Sequence, residues 1–127
     1  MTQKFSFARY QLPAVLWSLA IFVSSSLHGI RLPFKFISAD KLIHFGIFFV
    51  LGVLVARALL FQEKFLFAQK YALQFAILFV MLYGASDEIH QMFVPGRSPE
   101  ILDFLADTTG GILAAVFVKF IPKKILL

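Results

Sequence analysis

Four apolar runs constrain this chain more than any other feature. They lie at about residues 12–27, 41–61, 71–93 and 99–121, and each is close to the roughly 20 residues a helix needs to cross a bilayer. In lipid every backbone N–H and C=O must find its partner within the protein, so short, widely spaced apolar runs of this kind become helices. Composition agrees. Hydrophobic residues make up 60% of the 127 and charged residues only 15%, against roughly 25% in soluble domains. The predicted fold class is all-α: a four-transmembrane-helix bundle in a single domain over 1–127.

The connections follow from the residues between the runs. A basic N-terminal tail carries Lys4 and Arg9. Followed by an apolar segment it resembles a signal peptide, but no A-x-A site closes it, so an uncleaved helix is expected. Residues 28–39 read as a loop and 62–70 as a short polar connection. Pro95-Gly96 reads as a turn. Ser98-Pro99-Glu100 reads as a helix start, with Ser98 as N-cap and Pro99 at the first helical position.

With four spans, Lys4, Arg9, Arg57, Lys64, Lys70, Lys119, Lys123 and Lys124 share one side, eight in all, and Arg31, Lys35, Lys41 and Arg97 share the other. The richer side belongs in the cytoplasm, so both termini are expected inside, in a multi-pass protein of the bacterial cytoplasmic membrane. The net charge of +5 comes from these flanks and not from a basic face with interleaved readers, which excludes nucleic acid as partner. The chain has no cysteine, so thiolate chemistry and Cys-ligated zinc are excluded as well.

Against this apolar background, 83–111 stands out. It holds Asp87, Glu88, Glu100, Asp103 and Asp107, five of the seven acidic residues, together with His90, Gln91 and Arg97. Helical spacing puts Asp40 and His44 on one face of the second span. It puts Asp87, His90 and Gln91 on one face of the third with Glu88 on the flank, and Asp103 and Asp107 on one face of the fourth. Ala106, Gly110 and Ala114 continue the fourth helix's carboxylate face, and small residues at that spacing mark a packing face. The three polar faces are expected to converge in one outward-opening pocket.

Ionisable groups at membrane depth are costly and mark function. Asp87, Glu88, His44, His90 and Asp103 are the candidate catalytic groups; Asp40, Lys41, Gln91, Arg97 and Asp107 are the candidate binding groups. Simpler roles stand beside these. Asp40 at a helix start is a capping or first-turn acid, His44 an interhelical partner, His90 a solvated group, and Asp103 with Asp107 a structural network. Asp87 and Glu88 sit at a helix C-terminal end, where the dipole disfavours negative charge, so they require compensation. Arg97 is the anion-binding candidate. Asp87-x-x-His90 and Asp40-x-x-x-His44 have spacings used by helix-bundle metal sites, which leaves a divalent metal open as cofactor, although no H-E-x-x-H is present.

These residues resemble the VanZ-like family of small bacterial membrane proteins. The match rests on DKLIHFGIFFVLG (40–52) and YGASDEIHQMFVPGRSPEILDFLADTTGG (83–111). Asp40, Lys41 and His44 fall on its Asp-Lys-x-x-His helix start. Asp87, Glu88 and Gln91 fall on its Asp-Glu-x-x-Gln, Pro95, Gly96 and Arg97 on its turn, and Asp103 with Gly110 on its last helix. Asp107 stands where the family commonly has Asn. The resemblance implies an association with low-level resistance to the glycopeptide teicoplanin, and no biochemical activity.

Three functions compete. The first is a membrane-embedded site that binds or acts on a lipid-linked or phosphate-bearing cell-envelope molecule, with the bilayer as the other partner. No nucleophile is apparent, so the reaction class stays open. The second is a non-catalytic factor governing antibiotic access. The third, a proton-coupled transporter, needs polar groups through the cytoplasmic half, where Arg57 and Gln74 stand almost alone.

Overall fold

The structure is a computed structural model and describes residues 6–27 and 37–127. Most of the loop expected at 28–39, with Arg31 and Lys35, lies outside the described residues, as does Lys4. Among the described residues every regular element is a helix. A π-helical turn, Phe7–Gln11, runs into α1 (Leu12–Ser26); then come α2 (Ile37–Leu60), the short α3 (Leu66–Lys70), α4 (Ala72–Gln91), α5 (Ile101–Phe120) and the terminal turn α6 (Lys123–Leu126). Four stretches are long and apolar enough to span a bilayer: Phe7–Ser26, Ala39–Leu60, Ala72–Gln91 and Ile101–Phe120.

The second span begins early, at Ile37, within the expected 28–39 loop, and two other boundaries differ from expectation for a local reason. The first helix begins in the N-terminal tail. Pro13 has no N–H to offer the Arg9 carbonyl one turn back, and that carbonyl instead accepts from Arg57 Nη1 at 2.7 Å. The last span starts later than Ser98. Glu100 is the N-cap, in extended backbone and without a side-chain cap bond. Its N–H is held by Glu88 Oε2 at 2.8 Å, so a contact between helices, not a serine cap, sets where α5 begins. The turn before it forms as its Pro-Gly pair predicts. Arg97 N–H donates to Val94 O at 3.1 Å, and Gly96 takes φ +79°, a conformation open to glycine because it lacks Cβ.

The bundle is built on α2 and α5, its most extensive contact. Gly110 makes this approach possible, because a Cβ there would lie 2.5 Å from Phe45 O and 2.9 Å from Phe49 N. Gly52 answers from α2, where a Cβ would lie 2.6 Å from that of Ala114. In lipid such packing rests on close van der Waals contact, since burial from water gives helices no reason to associate. Phe48, Leu51 and Val80 fill the centre, essentially inaccessible.

The first span buries the smallest share of itself, 17% against 39% for the last, which makes α1 a peripheral wall. Two polar ties hold its middle. Trp17 Nε1 donates to Ile47 O at 3.0 Å, and the Tyr83 hydroxyl donates to Ser18 O. At the opposite end from Glu100, Arg57 ties Tyr10 to the C-terminal turn: it lies over the Tyr10 ring, 4.8 Å from its centroid, and donates to Leu126 O at 2.5 Å.

Candidate functional site

The charged groups gather at the bundle end where α2 and α5 begin and α4 finishes. Lys41, in the first turns of α2, sends its ammonium to the start of α5. There it donates to Glu100 Oε2 at 2.5 Å and to Asp103, and also touches Asp40 Oδ2 at 3.3 Å. Asp40 and Glu100 are half exposed, whereas the Asp103 side chain is 6% exposed. The ammonium therefore neutralises a buried carboxylate from a position anchored at the rim.

His44 lies three residues along α2 and faces the next turn of α5. Its Nδ1 is 3.0 Å from Asp107 Oδ1 and its Nε2 3.6 Å from Asp103 Oδ2. A carboxylate oxygen only accepts, so Nδ1 is the donor in that bond. Asp107 is wholly buried. Room for it exists because α4 carries glycine opposite: a Cβ at Gly84 would lie 3.2 Å from Asp107 Cβ and 3.3 Å from its Oδ2.

Glu88 follows one turn beyond Gly84. The flank position expected for it is in fact an interior one, 8% exposed. One oxygen accepts the Glu100 N–H, so the α5 backbone supplies part of the compensation that its place at the end of α4 demands. Glu88 Oε1 and Asp107 Oδ2 are buried with no hydrogen-bond partner.

Asp87 and Gln91 are buried on a neighbouring face of α4, with Gln91 Nε2 donating to Asp87 Oδ2 at 3.4 Å. They line a cavity of about 430 Å³ between α1, α2 and α4, shared with Asp40, His44, Trp17 and Arg97. Arg97 reaches across to the end of α1 and donates to the Ser24 and Leu27 carbonyls at 3.4 Å each. His44 is the hinge between the two regions. It touches the buried acids on one side and the cavity on the other.

One candidate leaves the cluster. His90 turns towards α1, with Nε2 2.9 Å from Ser26 Oγ and its ring 4.7 Å from Phe22. The three polar faces, expected in one pocket, divide instead: Asp40, His44, Asp87, Gln91 and Arg97 line the cavity, Lys41, Glu88, Asp103 and Asp107 gather on the other side of His44, and His90 faces α1. Its 60° offset from Asp87 on the helical wheel is enough to face another neighbour. The metal-capable groupings among the described residues are Asp40–His44–Asp103 and His44–Glu88–Asp107, so Asp87-x-x-His90 belongs to neither.

Two participants were missed in the sequence. Glu100 reads as a first-turn acid yet pairs with Lys41, and Gly84 reads as filler yet makes room for Asp107. The signal for the first was present, since Lys41 and Glu100 fall at helix starts on the same side of the bundle. A shared helical face one turn before Glu88 was the only hint of the second.

Below this layer the core is apolar. Phe48, Leu51, Val80, Ala76, Ala114 and Val118 separate it from Arg57, and Gln74 points outward.

Four membrane-length helices carrying a lysine–histidine–carboxylate cluster at one end define a small polytopic membrane protein. A family model described as VanZ/LLP1 matches residues 3–122. The chain belongs to that family, in keeping with the resemblance of its two motifs. No curated protein and no solved structure matches it.

Proposed function

We propose that the cavity bounded by His44, Asp87, Gln91 and Arg97 binds, and gives chemical access to, a cell-envelope molecule carrying a lipid link or a phosphate. The observation that carries this reading is the cavity itself. At about 430 Å³ it falls within the range of small-molecule sites, and it sets a guanidinium beside an imidazole and a buried carboxylate. Arg97 supplies the planar fork suited to phosphate, while His44 and Asp87 are placed to exchange a proton with a bound headgroup. A second, apolar groove of about 610 Å³ nearer the Arg57 end, lined by Val15, Val55 and Leu78 among others, would suit the tail of a lipid.

The site faces outward in this reading, with both termini in the cytoplasm of a bacterial cell, and it is here that the family's association with teicoplanin resistance would act. Native mass spectrometry of the detergent-purified protein tests it. Lipids with a phosphomonoester headgroup should be retained over phosphocholine lipids, and Arg97→Ala should erase the preference. Equal retention of both headgroups by the unaltered protein rules the reading out.

A further inference from the structure

We propose that His44, Glu88 and Asp107 form a binding site for one divalent transition-metal cation, of the manganese or zinc class. Two groupings of side chains could hold an ion, and they are not equivalent. The outer one, Asp40–His44–Asp103, already contains a cation, because the Lys41 ammonium touches both of its carboxylates. The inner one has no built-in cation, yet it is the more buried: Glu88 is 8% and Asp107 0% exposed. Each carries one oxygen, Oε1 and Oδ2, with no hydrogen-bond partner. Such oxygens at membrane depth leave a desolvation cost uncompensated, and a cation shared by the two carboxylates is what offsets it.

The geometry agrees. One ligand atom from each of the three residues lies within 4.8 Å of the other two. The 3.0 Å between His44 Nδ1 and Asp107 Oδ1 is the separation of two ligands about 2.1 Å from a common ion at roughly a right angle. The ion would replace the hydrogen now between them. His44 would then carry its hydrogen on Nε2, which faces Asp103 Oδ2 at 3.6 Å. A metal-bound imidazole backed by a carboxylate is the usual outer arrangement, and here that carboxylate is itself held by Lys41. Glu88 would bind through Oε1 while Oε2 keeps the Glu100 N–H. One imidazole with carboxylate oxygens suits manganese or zinc better than a soft, thiolate-seeking ion. His44 also lines the cavity, which supplies an entry path.

The inference stands apart from the envelope-ligand reading, because metal content is measured with no lipid substrate present. Tag-free protein in detergent, stripped with chelator and titrated with Mn²⁺, Zn²⁺ or Co²⁺, should take up one equivalent by elemental analysis. Glu88→Gln and Asp107→Asn should each weaken binding by at least about 100-fold, the upper end of what losing an outer-shell partner costs, and His90→Ala should leave it unchanged. In case the substituted proteins misfold, pulsed EPR of the Mn²⁺-loaded unaltered protein should show coupling to a single imidazole nitrogen. No uptake of any of the three ions, binding untouched by both carboxylate substitutions, or a bound Mn²⁺ without nitrogen coupling would each overturn it.

Discussion

Lys41 carries more of the site's electrostatics than any other single residue. It is 19% exposed and serves three carboxylates, of which only Asp103 is buried. Removing one partner of a buried ion pair costs about 3–5 kcal/mol, and the exposed setting of the other two acids places Lys41→Met near the lower end. Thermal unfolding in detergent should show the loss. Adding Asp103→Asn should recover part of it, since the orphaned charge is then gone; a double substitution no more stable than Lys41→Met alone would mean the pair is not what holds this corner. At this scale the sequence was informative about which residues matter and less so about whom they touch. Asp107 and His44 were visible as members of polar faces. That His90 would bond to Ser26 was not, because a 3.6-residue period fixes direction on one helix and says nothing of the neighbour it meets.

Helix pairing depends on a few positions without side chains. Gly110 and Gly46 give a controlled comparison. A Cβ at Gly110 would press on the Phe45 and Phe49 backbone, whereas one at Gly46 meets nothing within 4 Å. Backbone cannot step aside as a flexible side chain can, so Gly110→Ala should destabilise by about 1–3 kcal/mol as overpacking does. Gly46→Ala should be neutral, or stabilise by up to roughly 1 kcal/mol through helix propensity. Equal melting temperatures for the two proteins would show that α2 and α5 do not rely on this contact. The small-residue face of α5 was legible from its spacing. The start of α5 was not, because Glu88, twelve residues away, decides it by taking the Glu100 N–H.

Among the described residues the molecule is polar at one end, apolar through the middle, and closed at the other end by Arg57 with Arg9, Tyr10 and the C-terminal turn. The orientation proposed from the Lys/Arg distribution has the Arg57 end in the cytoplasm. The lack of native cysteine makes this easy to test. With an impermeant maleimide, Ser98→Cys should label in intact cells and Glu63→Cys only after permeabilisation; both positions are exposed. The reverse pattern would invert the topology and with it the outward site.

Four spans, an all-helical fold and a concentration of acid, imidazole and arginine at one end were determined by the sequence itself. Bilayer thickness and backbone hydrogen bonding leave an apolar run of this length no other form. Only the tertiary structure decided how that polar material divides. It split the cluster into a lysine-neutralised rim, an inner His44–Glu88–Asp107 set with two unpartnered oxygens, and a separate cavity under Arg97, while sending His90 elsewhere. The physical reason is that helical periodicity sets the face a side chain occupies, whereas its partner depends on how closely the helices approach, and here glycines at 52, 84 and 110 set that distance.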